Sequence, residues 1–190
     1  MKEDVYMESL KVKDLMIPVS EYVRVSAGDT LLDCFVALER DREEKGRTGR
    51  AHKDALVFDT SGAYQGNVTM VDVFMALEPT YKRIVDSSVR HQTLTGGYVS
   101  KLFKDYELWS EPFKDLCSRS AGLKVEEVMH RPGEEEYIDE DSSLDKALHK
   151  YVVGVRQPLI VRKGKEVTGV LRVGDMFEEI RKQILACSLK

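Results

Sequence analysis

"GNVTMVDVF", residues 66–74, returns as "GVLRVGDMF", residues 169–177, after an interval of 103 positions. In each copy an aspartate follows the opening glycine by six positions, and a phenylalanine follows the aspartate by two. The apolar residues after the glycine favour a strand, and polar residues that suit the start of a helix come next. The sequence therefore predicts a strand that turns directly into a helix, built twice in one chain.

The similarity continues on the N-terminal side of each motif. Val12–Met16 resembles Val125–Met129 at an interval of 113 positions, whereas Leu56–Phe58 matches Leu159–Val161 at an interval of 103. The change of interval shows that the first copy carries ten extra residues, which fall within residues 40–53. The sequence therefore contains an internal repeat with an added loop in its first copy.

Each copy predicts the element order β-α-β-β-α. A short extended segment is followed by Asp29-Thr30 or Ser142-Ser143, which are good helix N-caps, and then by apolar residues at helical spacing. An apolar strand, a glycine turn and the strand-to-helix motif complete the copy. We therefore expect an α/β (α+β) fold with one repeat at residues 10–78 and another at 124–185, joined by residues 79–123.

The connecting residues 79–123 carry a helical pattern of their own. A second helix is predicted to start at Ser110. This inserted helical segment either packs on the body of the protein or forms an arm that builds a dimer or partner surface. An apolar stripe predicts the first helix by its i, i+3, i+4, i+7 spacing: Val99, Leu102, Phe103 and Tyr106.

The composition excludes several classes of function. The chain has 190 residues and a net charge of −4, so it has no general attraction for nucleic acid or for an anionic membrane. No apolar run is long enough to span a bilayer, and the N-terminus lacks the apolar stretch of a signal peptide. We therefore expect a cytoplasmic protein with no nucleic-acid and no membrane partner.

The residues that carry most chemistry are scattered along the chain. Cys34, Cys117 and Cys187 stand singly, which favours reduced thiols and offers no metal-ligand spacing. The four histidines are also isolated and are interpreted as surface residues. The motifs of serine hydrolases, zinc proteases and P-loop proteins are absent. We therefore expect no catalytic residues, no metal and no cofactor, and hence not an enzyme.

Together these features resemble a tandem pair of CBS domains, the cystathionine-β-synthase type, also called a Bateman module. The resemblance rests on Val-x-x-Leu/Val-Met at the start of each copy, the apolar strand and the Gly-x-x-x-x-x-Asp motif. It implies two repeats packed through their sheets about a pseudo-twofold axis, and a homodimer. It also implies a stand-alone regulatory sensor that binds AMP, ADP, ATP or S-adenosylmethionine in clefts between the repeats and signals to an unidentified effector protein.

The resemblance places ribose contacts at the strand-to-helix motif. Family members commonly read Gly-h-x-Thr/Ser-x-x-Asp there, where h is hydrophobic, and the hydroxyl and carboxylate contact the ribose. Thr69 and Asp72 match, although Asn67 replaces the apolar residue; the second copy keeps Asp175 but has Arg172 instead of a hydroxyl. An ionised aspartate can accept from both ribose hydroxyls, and the glycine lets a ligand come close. Alternatively, Thr-x-x-Asp is a helix capping box that needs no ligand.

Other ligand contacts are implied by position in the family pattern. Basic residues near Arg156 reach the phosphates in nucleotide-binding members, Lys53 occupies the aligned place in the first copy, and Arg172 offers forked donors suited to phosphate. Tyr22-Val23 and Tyr137-Ile138 lie where the first strands of the family frame the adenine. The alternative interpretations are solvated cations for the basic residues and core packing for the others.

Alternatives also remain for two polar stretches and for the whole protein. The basic loop within residues 40–53 either folds over a polyphosphate or is a solvated loop. The acidic residues between 134 and 141 are interpreted as a solvated face whose last members cap the next helix. Instead of a nucleotide sensor, the protein is alternatively a ligand-free dimerisation module, in which the turns are caps and residues 79–123 form the interface.

Overall fold

The computed structural model describes residues 10–45, 51–78, 81 and 120–188, with side chains up to residue 186. The predicted stripe at residues 99–106 and the helix start at Ser110 lie outside this part. None of the described helices combines the length and the apolar content needed to cross a membrane. The elements are β1 (Ile17–Pro18), β2 (Arg24–Ser26), α1 (Leu31–Lys45), β3 (Ala55–Phe58), β4 (Tyr64–Val68), α2 (Met70–Leu77), α3 (Val125–Val128), β5 (Tyr137–Asp139), α4 (Leu144–Val152), β6 (Leu159–Lys163), β7 (Glu166–Leu171) and α5 (Val173–Ser188), with 3₁₀ turns at Val12–Asp14, Val19–Glu21 and Glu134–Glu136.

The chain divides into two compact units, each with one β-α-β-β-α repeat. The first-repeat unit has its described residues within Val23–Arg131, and the second-repeat unit has them within Met1–Tyr22 and Pro132–Lys190. The predicted α/β class is confirmed by this mixture of helices with parallel and antiparallel strands. The pseudo-twofold packing of the two repeats stays a prediction.

The first-repeat unit is built on a three-stranded sheet in the order β2-β3-β4. Strand β2 is parallel to β3, with Val25 opposite Val57, because helix α1 carries the chain back between them. Strands β3 and β4 form an antiparallel hairpin in which Val57 lies opposite Gly66. Gly62 in the connecting turn has a φ of 83°, a left-handed conformation that glycine adopts without a steric penalty. The sheet thus ends in β4, directly before the first strand-to-helix turn.

The second-repeat unit has four strands in the order β1-β7-β6-β5. Strands β5 and β6 are parallel, with Ile138 opposite Val161, and β6 and β7 are antiparallel. The additional strand β1 comes from the beginning of the first repeat, and it pairs antiparallel with β7, placing Ile17 opposite Val170. Strand β7 therefore has a neighbour on both sides just before the second turn.

Each unit buries one face of its sheet under its helices. Leu31 and Cys34 of α1 lie in the core of the first-repeat unit, and Leu144 and Ala147 of α4 lie at the matching places in the other. Full burial of a valine or leucine side chain contributes about 1.5–3 kcal/mol, so these clusters are the main source of stability. Burial also raises the pKa of the Cys34 thiol to about 11, which keeps it protonated at neutral pH.

The segment that leads into each repeat is bound to the unit that contains the other repeat. We call these the leading segments; they are residues 10–16 at the start of the first repeat and residues 123–129 at the start of the second. The backbone hydrogen bonds of one leading segment match those of the other at the interval of 113 positions seen in the sequence. Each repeat therefore binds the leading segment of the other, which makes the exchange of leading segments reciprocal. The matched bonds are Val12 N–H to Ser142 O and Val125 N–H to Asp29 O, both at 2.9 Å, with Leu144 N–H to Leu10 O at 3.1 Å and Leu31 N–H to Leu123 O at 2.9 Å.

The compact units therefore differ from the sequence repeats. A repeat defined by sequence similarity starts with its own leading segment, whereas a compact unit uses the leading segment of the other repeat. Val12 and Val125, the first residues of the two repeated Val-x-x-Leu/Val-Met motifs, are both fully buried in this way. The boundaries 10–78 and 124–185 consequently describe the duplication rather than the packing.

The added loop of the first copy is anchored at its ends. Helix α1 runs to Lys45, so the extra residues begin as a helix. The buried carboxylate of Asp41 accepts the backbone N–H of His52 at 2.6 Å and contacts His52 Nδ1 at 3.0 Å and Lys45 Nζ at 2.8 Å. Burial opposes the charged form of Asp41, but these hydrogen bonds outweigh it and lower the pKa of the carboxyl. The interpretation of His52 as a surface residue is therefore wrong, because its exposed fraction is 5%.

The acidic stretch between residues 134 and 141 is only partly solvated, which corrects the sequence interpretation. Glu136 and Glu140 are buried, with exposed fractions of 5% and 8%. The Glu136 carboxylate accepts the backbone N–H of Gly133 at 3.1 Å, and Glu140 forms an ion pair with Lys163 at 3.0 Å. Buried carboxylates need such partners, and the sequence does not reveal which acids of a run will find them.

Candidate functional site

The first strand-to-helix turn is held by a capping box. Thr69 is the N-cap of α2 and has extended backbone angles. Its backbone N–H and its hydroxyl both donate to one carboxylate oxygen of Asp72, at 2.8 and 2.6 Å, and the Asp72 N–H points back to the hydroxyl at 3.4 Å. Asp72 is only 3% exposed. The capping interpretation is therefore seen in the structure, and a ribose contact by Thr69 and Asp72 stays a prediction.

The second turn is held by an ion pair instead. Arg172 Nε donates to Asp175 Oδ2 at 2.7 Å and Arg172 Nη2 donates to Asp175 Oδ1 at 2.9 Å. Both side chains are about one-quarter exposed, at 25% and 28%. A bidentate pair of this kind is among the stronger hydrogen-bonded arrangements. The guanidinium predicted to bind phosphate is thus engaged by the carboxylate predicted to bind ribose, three residues away.

The residues that directly follow the two leading segments explain the glycine that opens both motifs. A Cβ at Gly66 would overlap the carbonyl oxygen of His130 and lie 3.2 Å from its carbonyl carbon, and one at Gly169 would lie 2.7 Å from the carbonyl oxygen of Ile17. His130 also exchanges two backbone hydrogen bonds with Asn67, at 2.9 and 3.0 Å. The close approach expected of a ligand is therefore already made by the protein chain at both glycines.

Asn67 is a buried amide directly before the first turn. It lies opposite Leu56 in the sheet, and only 3% of it is exposed. Side chains alternate along β4, so Asn67 points away from the core residue Val68 and shares a face with Thr69. Within the described part of the chain, no hydrogen bond reaches its Oδ1. The sequence signal for this residue was an amide at a position that is apolar in the second copy.

The residues predicted to frame an adenine divide between the cores and the surface. Val23 and Ile138 belong to the two cores, as the packing alternative stated, and Tyr22 is 5% exposed. Tyr137 is half-buried, and the guanidinium of Arg162 lies 4.8 Å from its ring centroid. Burial raises the pKa of the Tyr137 phenol, which therefore stays neutral at physiological pH. Adenine contacts by these residues stay predictions.

The remaining cations predicted to reach phosphates occupy different settings. Lys53 is exposed and lies just before β3 in the first-repeat unit. Arg156 is half-buried and lies before β6 in the second-repeat unit. An exposed lysine keeps a mobile side chain, whereas a half-buried arginine has a more restricted position, so the two would serve a phosphate differently. Both phosphate contacts stay predictions.

The two turns offer groups that suit a polar organic ligand. Their side chains present two carboxylates, a hydroxyl, an amide and a guanidinium, which can bind hydroxyl, amino and phosphate groups. These groups recognise a ligand by hydrogen bonds and charge. Among the described residues, no group of three or more His, Cys, Asp or Glu side chains could hold a metal ion.

Solved structures share this architecture. The CBS domain of a bacterial CNNM/CorC family Mg²⁺ transporter in complex with ATP aligns with a TM-score of 0.55 and 16% identity, over 92% of this chain and 89% of that chain. CBSX2 in complex with AMP aligns with a TM-score of 0.53 and 16% identity, over 90% and 96% of the chains. The chain has the fold of CBS-domain proteins. No family model matches the sequence, and no curated protein matches it.

A third CBS-domain structure gives the same result. The CBS domain-containing protein of unknown function from Kribbella flavida aligns with a TM-score of 0.52 and 14% identity, over 90% of this chain and 97% of that chain. The predicted resemblance to CBS domains is thereby confirmed at the level of the fold. At such low identity the roles of individual residues in this chain have to be argued from its own contacts.

Proposed function

We propose that this CBS-domain protein is a regulatory sensor that binds an adenosine compound, AMP, ADP, ATP or S-adenosylmethionine, and signals to an effector protein. The observation that carries the proposal is the repeated strand-to-helix turn, which presents Thr69 with Asp72 and Arg172 with Asp175 at matching places. The ATP and AMP complexes of two proteins with the same fold support it. The proposal includes no catalytic step.

The chemistry of the first turn suits a ribose. An ionised carboxylate has about four acceptor positions, so Asp72 can accept from a ligand hydroxyl as well as from Thr69. Hydrogen bonds from ribose hydroxyls to a carboxylate are charge-assisted, and in a buried place they are less weakened by water. The N-terminus of α2 adds a partial positive charge that favours a nearby anion such as a phosphate.

Binding becomes a signal only if the ligand prefers one conformation. A ligand shifts an equilibrium by its difference in affinity for the two states and by no more. The second leading segment ends at Met129, and the next residue, His130, is hydrogen-bonded to Asn67, two positions before Thr69. A change at the first turn therefore acts directly on the chain that follows residues 79–123, which gives an effector a place to sense it.

We also propose that the protein forms a homodimer. Phe74 of α2 and Phe177 of α5 occupy matching places in the two repeats, and both are more than half exposed, at 54% and 62%. Exposed apolar surface that is larger than scattered single residues marks interaction sites. Each of these exposed faces is a surface that a second copy can cover. Further exposed apolar residues on the same two helices are Met70, Val71, Ile184 and Leu185.

A thermal-shift screen with AMP, ADP, ATP and S-adenosylmethionine tests the proposal. A ligand that binds the native state at 100 times its Kd stabilises it by about 2.7 kcal/mol, which is a rise of several degrees in Tm. Asp72→Asn should weaken the binding of that ligand about 10- to 150-fold, since the variant loses a charged acceptor. No shift with any of the four, in a protein that is dimeric by light scattering, would favour the ligand-free dimerisation module.

A further inference from the structure

The two strand-to-helix turns are not equivalent, although the repeats that carry them match. Asn67 lies opposite Leu56 in the first-repeat unit, and Val170 lies opposite Ile160 in the second-repeat unit. All four residues are buried, and Asn67 alone among them is polar. A buried polar group is normally hydrogen-bonded, and an exception needs a physical explanation.

The amide oxygen of Asn67 is such an exception within the ranges that the structure describes, because no donor reaches it. Asn67 and Thr69 are two positions apart on extended backbone, so their side chains lie on one face, the face away from the core. Oδ1 of Asn67 is therefore an acceptor next to the Thr69–Asp72 turn. Its natural complement is a hydroxyl or amino group of a bound molecule.

The second turn differs from the first in the partner of its carboxylate. Arg172 brings a positive charge to Asp175 and donates to both of its oxygens, whereas the donors of Thr69 to Asp72 are neutral. A ribose at the second turn would compete with this bidentate pair for the carboxylate. It would also find a guanidinium in the place of the side-chain hydroxyl of the first turn.

We propose that the chain binds one ligand, at the first turn, and that Asn67 Oδ1 accepts a hydrogen bond from a hydroxyl or amino group of that ligand. The Arg172–Asp175 pair closes the second turn to a ribose. This inference rests on the proposed function and adds to it the number of ligands per chain and a contact residue.

Isothermal titration calorimetry of the full chain with AMP, and separately with ATP, counts the sites. We expect one nucleotide per chain, bound about 10- to 150-fold more weakly in Asp72→Asn and with unchanged affinity in Asp175→Asn. Two nucleotides per chain, or a single site that is weakened only in Asp175→Asn, would overturn the inference and leave the proposed function standing. If neither nucleotide binds and the thermal-shift screen is also negative, both are overturned.

The variant Arg172→Thr tests the closure of the second turn, because it restores the residue of the first turn. We expect the number of sites to rise from one to two per chain. Arg181→Thr is the matched control: Arg181 also pairs with a carboxylate three residues away on α5, that of Glu178 at 2.7 Å, and its loss should leave one site. A count that stays at one in Arg172→Thr shows that the ion pair does not close the turn.

Asn67→Val tests the contact residue, because it introduces the side chain that Val170 has at the matching position of the second repeat. It should weaken the binding of AMP by about 5- to 150-fold, which is the effect of losing one buried hydrogen bond. The Tm of the unliganded variant should stay or rise, because an acceptor without a partner is removed from the interior. In the control Val170→Asn, AMP affinity should stay unchanged while Tm falls. A less stable Asn67→Val that binds AMP like the parent overturns the contact.

Nucleotide analogues identify the donor group. 2′-Deoxy-AMP and 3′-deoxy-AMP each lack one hydroxyl, and IMP lacks the amino group. The analogue without the donor that Asn67 accepts should bind the parent and Asn67→Val equally well, while the others lose affinity in the variant. Equal losses for AMP and all three analogues would show that Asn67 contacts none of these groups, which contradicts the proposal.

Discussion

Replacing Gly66 by alanine places a methyl group against the backbone of His130, the residue that directly follows the second leading segment. The new Cβ overlaps the carbonyl oxygen of His130, which is fixed because His130 exchanges two backbone hydrogen bonds with Asn67. The backbone of His130 has to move away, which weakens both bonds. Two hydrogen bonds contribute about 1–3 kcal/mol net, and forcing a methyl group into a packed place costs about 1–3 kcal/mol. We therefore expect the free energy of unfolding to fall by about 2–6 kcal/mol.

Urea denaturation followed by circular dichroism measures this loss, and Gly174→Ala is the matched control. Gly174 lies in α5, and nothing lies within 4 Å of a Cβ built there. Alanine in a helix is favoured over glycine by about 1 kcal/mol, so the control should be as stable as the parent or more stable. If Gly66→Ala unfolds at the same urea concentration as the parent, the backbone of His130 does not contact the glycine as described.

Three further predictions concern charge, burial and assembly. Hydrogen bonds from Lys13 and Lys11 hold the pKa of Asp141 at about 2. The contribution of this carboxylate to the free energy of unfolding is therefore present above the ordinary aspartate pKa and is lost as the pH falls toward 2. Denaturation at pH 7 and at pH 2.5 should therefore show a smaller acid loss for Asp141→Asn than for the parent. Asp41→Ala should lower the free energy of unfolding by about 1.5–3 kcal/mol, because a buried charged acceptor is removed; a change below about 0.5 kcal/mol would contradict the anchoring of the loop. Light scattering at tens of micromolar should show a dimer that Phe74→Ser with Phe177→Ser converts to monomer, and a monomeric parent would argue against the homodimer.

The order of the elements could be predicted because the same residue pattern occurs twice in the sequence. Strand and helix patterns that are weak in one copy become reliable when the same apolar positions recur at a fixed interval. The exchange of leading segments could not be predicted in the same way. Val12 and Val125 carry the same motif, and an interval between two similar segments does not say which unit each of them packs against.

The candidate site shows where local and distant interactions differ in predictability. Thr69 with Asp72 and Arg172 with Asp175 are three positions apart, a spacing at which side chains meet at the start of a helix. These contacts were accessible from the sequence, although Arg172 was assigned to a phosphate. The burial of His52 and Asn67 depends on residues from other elements. The spacing of residues along the chain does not contain that information.

The reciprocal exchange of leading segments also bears on how such a chain can arise. A molecule with a single repeat would leave its leading segment without a partner, unless two identical molecules each bound the leading segment of the other. Duplication and fusion of the gene convert this intermolecular binding into intramolecular binding, because the covalent link between the repeats supplies a high effective concentration. Assembly of the two units then no longer depends on the amount of protein in the cell. The fused halves are also free to diverge, so that one copy can keep a threonine before its helix while the other acquires an arginine.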